Sequence, residues 1–254
     1  CDLNGTNDTG EFRIFHVLNS SAKLTLKDLT VRNGCADYPP ATLTSEGGGI
    51  YNNGGTVRIE NTTLSSNITK ELGGGINNVD GVLIIQNSTI SGNSTSSSTS
   101  FGGGIHNNGG TVTIINSTIS GNTANHGGGI SNGGNMTIER STISGNTANI
   151  SGGIDNTGTL TITNSTISGN TAANYGGAIS NYSVMTVYAS FVTIANNTAG
   201  NQGAGIYNGG TFNIKNSIVA GNTVGGSPQN CHIEASPTFT PSGVNFADDN
   251  TCTG

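Results

Sequence analysis

The stretch GGGIHNNGGTVTIINSTISGNTA, residues 102–124, holds the fold in miniature. Val112 and Ile114 alternate with Thr111 and Thr113, and Ile119 stands between Thr118 and Ser120. Apolar and polar residues that alternate over so short a run describe a strand with one buried face. Glycine and asparagine separate the runs, and both accept the backbone angles of tight turns. The stretch therefore reads as three short strands joined by turns. No part of the chain sustains the spacing of an amphipathic helix.

Outward from this stretch, the pattern recurs along the chain. The GGGI signature ends at Ile50, Ile76, Ile105 and Ile130, and degenerate copies end at Ile154, Ile179 and Ile206, at spacings of 26, 29, 25, 24, 25 and 27 residues. Periods of roughly 20 to 50 residues mark stacked repeat architectures. These isoleucines form a first apolar column. The second is expected to run Val57, Leu83, Val112, Met136, Leu160, Met185, Phe212, and the third Ile59, Ile85, Ile114, Ile138, Ile162, Val187, Ile214. A mostly polar column separates them, Arg58, Ile84, Thr113, Thr137, Thr161, Thr186, Asn213, and a fourth apolar column runs Leu64, Ile90, Ile119, Ile143, Ile167, Ile194, Val219.

One repeat cannot bury its own apolar face, so successive coils must stack, each strand pairing in parallel with its counterparts about 4.8 Å away. The expected fold is all-β: a right-handed single-stranded parallel β-helix (β-solenoid) of about 8 to 9 coils, with three short strands per coil. One domain then fills residues 1–254, with N-terminal coils and cap over 1–46, seven regular coils over 47–224, and a C-terminal cap or docking tail over 225–254.

Composition becomes intelligible on this basis. Among 254 residues 41 are glycine, 9% are charged and 5% aromatic, against about 7% glycine and about 25% charge in average proteins. Collagen would need glycine at every third position and abundant proline, and there are 5 prolines. A disordered chain of low hydrophobicity carries high net charge, whereas −6 is spread here over the whole length. The same value offers no basic footprint for nucleic acid. No apolar run is long enough for a transmembrane segment, and with no leader ahead of Cys1 the sequence is expected to be a mature or trimmed product.

Two asparagine columns repeat in register. Asn52, Asn78, Asn107, Asn132, Asn156, Asn181 and Asn208 follow the signature isoleucines by two residues, and Asn67, Asn93, Asn122, Asn146, Asn170, Asn197 and Asn222 close the third strand. An amide both donates and accepts, so stacked asparagines are expected to form hydrogen-bonded ladders.

The GGGI and GGAI signatures together with ISGNTA resemble the paired short motifs of chlamydial polymorphic outer-membrane proteins. They resemble more closely the right-handed parallel β-helix repeats of large bacterial surface proteins, including those called choice-of-anchor proteins. The resemblance covers residues 12 to 224. It implies secretion, a β-helix, and adhesion or surface-layer roles, and it carries over no catalytic residue.

The four cysteines lie outside the regular repeat, and proximity favours pairing Cys1 with Cys35 and Cys231 with Cys252, as in an oxidising extracellular setting. Cys1 as first residue also permits a lipoprotein reading. Charge is uneven: Arg13, Lys23, Lys27 and Arg32 make the first coils basic, whereas Glu234, Asp248 and Asp249 stand near the end. Opposite charge at opposite ends suggests head-to-tail contact, which generates a fibre when it does not close on itself. The alternative is that both ends are caps.

An enzyme of the polysaccharide-cleaving kind would need two carboxylates about 5 to 10 Å apart. Glu60 and Glu139 share a register three coils apart, about 14 Å. His106 and Asp155 share the column after the signature isoleucine, two coils apart, with Ser131 between them; Tyr51 and Tyr207 belong to the same column. The variable loops, with Lys70, Glu71, the serines from Ser94 to Ser100, His126 and Tyr175, are a second place for binding. A third surface is the rank Thr63, Thr89, Thr118, Thr142, Thr166 and Thr193, a hydroxyl lattice like those of some ice-binding solenoids. The expectation is a non-catalytic structural or adhesive element of a bacterial cell surface, without cofactor or metal. Its expected partners are other copies end to end, or a surface glycan or a ligand on a host or neighbouring cell. Carbohydrate binding or cleavage, and ice binding, stand as alternatives.

Overall fold

In the computed structural model, residues 12–36, 46–234 and 238–252 are described. Alternation does produce strands, and stacking does pair them: four sheets of nine strands each run the length of the molecule, about eight turns of a parallel β-solenoid. Sheet 1 begins with Phe15–Val17 and Ile50–Asn53 and ends with Cys231–Ile233. Sheet 2 begins with Lys23–Lys27 and Thr56–Glu60 and ends with Thr238–Ser242, and sheet 3 begins with Thr30–Arg32 and Thr63–Ser65 and ends with Phe246–Ala247.

Sheet 4 adds a fourth strand to the three expected per coil. Its strands, such as Ile68–Thr69 and Thr171–Ala172, follow the second asparagine column and are mostly two residues long. Two residues are too few to display alternation. Its last strand, Ser227–Pro228, turns back antiparallel to Thr223–Val224. Among the described residues no helix is long and apolar enough to cross a membrane.

The interior is narrow and filled by the apolar columns. Ile50, Ile76, Ile105, Ile130, Ile154, Ile179 and Ile206 are all fully buried, each removal from water contributing about 1.5 to 3 kcal/mol before entropy is subtracted. One coil corrects the expected register. Leu160 pairs with Val187 and Ile162 with Ala189, so Met185 does not enter the second column and Thr186 does not lie between the second and third. Five residues separate Asn181 from Val187 where three separate Asn156 from Leu160; the longer turn displaces the pattern by two. Tyr188 consequently points outward, opposite Thr161 and half-exposed.

Both ladders form. In the first, each side-chain Nδ2 from Asn52 to Asn181 donates to Oδ1 of the asparagine one coil on, at 2.7 to 2.9 Å. In the second, the same bonds run from Asn67 to Asn222 at 2.8 to 3.0 Å and continue to Asn230, 2.8 Å further on, which lies outside the repeat. A serine row accompanies them. Ser88, Ser117, Ser141 and Ser165 each accept the backbone N–H of the preceding coil at 3.1 Å and donate to the carbonyl two residues back.

Two glycines of one repeat answer different demands. A Cβ on Gly103 would stand 2.5 Å from the carbonyl oxygens of Gly128 and Thr123, so the space is denied by the next coil. Gly121 has room but a φ of +62°, which side chains resist. The corner before the serine row is left-handed too. Asn61, Asn87, Asn116, Asn164 and Asn216 hold it, with Arg140 and Phe191 forced into the same angles.

The residues after the regular repeat add one further coil, whose strands are the last of sheets 1 to 3. Cys231 and Cys252 form the expected disulfide, with Cα atoms 5.0 Å apart. Cys35 is disulfide-bonded as well; Cys1 lies outside the described residues.

Candidate ligand-binding stripe

In sheet 1 the middle residue of each strand's first three points away from the apolar core, although Asn77, Ser131, Asp155 and Ser180 among these residues are buried. Parallel pairing lines these residues up as His16, Tyr51, Asn77, His106, Ser131, Asp155, Ser180, Tyr207 and His232. A second row runs beside it through isolated bridges joining Glu46, Leu72, Phe101 and His126, and Tyr175 to Gln202. All four histidines of the chain fall on this stripe.

Three clusters divide it. At the N-terminal end the Arg13 guanidinium lies 4.7 Å from the Tyr51 ring centre and donates to the carbonyls of Glu46 and Gly47. His16 packs against the other ring neighbour, 4.8 Å from Tyr51. Burial and the nearby Arg13 charge hold the His16 imidazole below its ordinary value. Glu46 accepts from the Asn77 amide at 2.8 Å.

In the middle, Phe101 stacks on His126 at 4.8 Å and tilts toward His106 at 5.9 Å. The Asp155 carboxylate is 2% exposed. It accepts from Ser151 Oγ at 2.6 Å, is hydrogen-bonded to Tyr182, and lies 4.0 Å from His126 Nδ1. Burial raises its pKa against the opposing influence of Ser151, His126 and Tyr182; the Tyr182 phenol is raised in turn, by burial first and by the Asp155 charge. Burial pushes His106 down to about 4. His106 Nδ1 and Ser180 Oγ, both shut off from solvent, have no hydrogen-bond partner among the described residues.

At the C-terminal end Tyr175, Tyr207 and His232 follow one another at 5.3 and 5.2 Å, the last pair stacked with nearly parallel rings. Tyr207 donates its hydroxyl to Glu234, and burial together with that carboxylate pushes the phenol up to about 12.

The structure thus brings Tyr51, His106, Asp155 and Tyr207 into the expected column and joins His126 and Tyr175 to it from the loops. It adds His16, His232, Phe101, Ser151 and Tyr182, which the sequence reading passed over. A signal for two of them was present. Ser151 stands where other coils have the first glycine of the signature, keeping φ at +59°, and Tyr182 sits in the lengthened turn one coil on. Two departures from the repeat therefore converge on a third, Asp155.

The charged residues assigned to end-to-end contact are placed differently from one another. Lys23, Lys27 and Arg32 are exposed on the first coil, whereas Arg13 belongs to the stripe. Glu234 is held by Tyr207. Asp248 accepts from the Asn230 amide at 2.6 Å and from the Gly221 backbone at 2.9 Å, and Asp249 accepts from the Asn230 backbone at 2.7 Å and from Thr251. Burial alone would raise Asp249, but the Thr251 and Asn230 hydrogen bonds outweigh it and hold its carboxyl low. Glu60 and Glu139 are paired with Arg58 and Arg140.

Residues 13–188 match the family model described as a right handed beta helix region. No curated protein and no solved structure matches the chain.

Proposed function

The chain belongs to the right-handed β-helix family, and from that premise we propose that it is an extracellular, non-catalytic adhesive element that grips an extended glycan along the stripe on sheet 1. The observation that carries this reading is the run of rings in register with the coils: His16 and Tyr51, Phe101 with His106 and His126, then Tyr175, Tyr207 and His232. Sugar rings stack their C–H faces on aromatic faces, and the accessible polar groups beside the rings, Glu46, Gln202 and Glu234, supply hydrogen bonds to hydroxyls, whereas Asn77, Ser131, Asp155 and Ser180 are buried beneath the surface. A linear polymer lying parallel to the solenoid axis meets contacts at each of the three ring clusters, so weak single contacts add up.

Binding rather than cleavage is favoured by the electrostatics. Asp155 is locked by Ser151 and Tyr182, and Glu46 and Glu234 lie at opposite ends of the stripe, each engaged by a neighbour. Glycoside hydrolysis wants two carboxylates within about 10 Å of each other. The cysteine bridges support an oxidising compartment. End-to-end assembly is not part of the proposal, because Asp248 and Asp249 are spent within their own chain.

The test is binding of the intact protein to a panel of neutral and acidic polysaccharides, repeated with Tyr51→Ala and Tyr207→Ala combined. We expect retention on at least one neutral polymer and at least tenfold weaker binding by the double variant at unchanged melting temperature. Equal binding by both proteins, or no retention on any polymer, overturns the reading.

A further inference from the structure

Sheet 2 has its own departure from the repeat, on a face that shares no residue with the stripe. Its middle outward column runs through Thr113, Thr137 and Thr161 and continues with Asn213 and Thr240; between these the displaced coil inserts a ring, Tyr188. The outward column beside it runs Thr163, Ser190, Lys215 and Ser242. Tyr188 and Lys215 are therefore diagonal neighbours, one coil and two residues apart, with about 8 Å between their Cα atoms at ordinary sheet spacings. Long side chains reach one another across such a diagonal.

A cavity of about 260 Å³ lies here, over the buried Ala189 and Ile214, and Tyr188 and Lys215 line it with Thr161, Ser190, Asn213 and Ser242. Tyr188 is half-exposed, and no ring among the described residues stacks on it, so its faces are open to a ligand. Lys215 is exposed. Arg58 and Arg140 are each held by a glutamate, whereas no carboxylate among the described residues pairs with Lys215. The rest of the lining is neutral, so the ammonium charge is not cancelled within the cavity.

We infer that this cavity binds a single sugar unit bearing a carboxylate. Its volume falls below the roughly 300 to 1,000 Å³ of sites for larger ligands, which suits one ring. The C–H face of a pyranose packs on Tyr188, its hydroxyls find the alcohols and amide of Thr161, Ser190, Asn213 and Ser242, and its carboxylate meets Lys215 in a charge-assisted hydrogen bond. The inference goes beyond the stripe and does not rest on it.

The plainer account is that tyrosine is an ordinary strand residue on a solvated face and that the lysine serves solubility. Methyl glucuronoside and methyl glucoside differ by the carboxylate, and acetate carries a carboxylate without the sugar; all three would be titrated into the intact protein by NMR at pH 7.5 and low ionic strength. We expect the glucuronoside to bind at least about tenfold more tightly than either of the others, the scale of one charge-assisted hydrogen bond. Lys215→Gln should erase that preference and Lys215→Arg should keep it. Lys27→Gln should keep it too, since Lys27 occupies the same column on the first coil with Thr25 where Tyr188 stands. Tyr188→Thr restores the residue of the neighbouring coils, so it should leave the melting temperature unchanged and abolish binding of both glycosides. Polyglucuronate distinguishes the source: tighter binding per unit assigns a polymer, and equal binding a free or terminal sugar.

Equal binding of the two glycosides, equal binding of acetate, a preference that survives Lys215→Gln, or no binding at all overturns the inference. Failure of the stripe reading looks different, because Tyr51→Ala with Tyr207→Ala changes nothing at this cavity.

Discussion

Sheets 1 and 3 are made by the same coils, at the same rise and in the same register, yet their outer faces have little in common. On sheet 3 the outward residues of the central coils are Thr63, Thr89, Thr118, Thr142, Thr166 and Thr193, with Ser65, Ser91, Ser120, Ser144 and Ser168 two residues on, and the rows change only toward the ends, to Arg32, Ala195, Ile218, Ala220 and Phe246. On sheet 1 nearly every coil brings a different group. Threonine repeated on a solvated strand needs no further reason than strand preference. A position at which one lattice carries His, Tyr, Asn, Ser and Asp in turn is not being used for the lattice. In a solenoid, then, sameness reports what the coil needs and difference reports what the surface does.

This contrast can be attacked from the inside out. The largest effect is expected where repetition is internal. Asn122 accepts from the Asn93 backbone at 2.9 Å and from its amide at 3.0 Å, and donates to the Ile90 carbonyl and to Asn146, both at 3.0 Å. Asn122→Ala leaves all four partners short in a dry interior and should cost about 3 kcal/mol or more by chemical denaturation. A loss below about 1 kcal/mol would mean that the ladder decorates the fold rather than holding it.

Next is Asp155, a departure that the stack tolerates at a cost. Its folded pKa lies above the unfolded value of 3.8. The protonated form therefore contributes stability that is complete below that value and lost as pH rises through the folded pKa. Asp155→Asn keeps an acceptor for Ser151 without the charge. It should stabilise the protein at pH 7.5 by on the order of 1 kcal/mol, with the advantage vanishing as pH falls toward 4. An advantage independent of pH would show that the carboxylate is not what the fold pays for.

A smaller gain is expected at the corner between sheets 2 and 3. Phe191 is exposed and left-handed at a position that asparagine holds in most coils. Phe191→Asn should stabilise by about 0.5 to 1 kcal/mol, read as a rise in melting temperature. Smallest of all, Thr118→Val with Thr142→Val on sheet 3 should change stability by no more than about 0.5 kcal/mol and glycan binding not at all. If that pair weakened binding as much as the tyrosine pair, the contrast between the two faces would collapse.

How much of this was legible in the sequence follows the same division. The apolar columns and both ladders could be read because repetition averages out local ambiguity: seven aligned copies of isoleucine or asparagine leave little to interpret. Reading failed where one copy departed. Met185 fits the core column only while the turn after Asn181 is taken to be as short as its counterparts; two extra residues there place Val187 and Ala189 in the core instead, and apolar spacing alone does not reveal the insertion. Sheet 4 was missed for its brevity, and Asn230 because it continues the ladder from outside the repeat. Of the stripe, the column of Tyr51, His106, Asp155 and Tyr207 was visible. Its second row was not, since Phe101 and His126 lie in loops of unequal length and only the stacking of the coils brings them side by side.

The second ladder has a direction. Every amide from Asn67 onward turns its N–H toward the C-terminal coil and its oxygen toward the N-terminal one, so the side-chain dipoles point the same way and sum as peptide dipoles do in a helix. The leading end presents a bare donor at Asn230, and Asp248 meets it with a carboxylate, much as an acidic residue meets the first turn of a helix. The trailing end presents an acceptor, which the Gly34 backbone fills at 2.9 Å. A coil inserted in the middle satisfies itself, whereas a coil added at either end must bring the group of opposite polarity. The length of such a solenoid is free to drift in evolution, but its two terminators are not interchangeable.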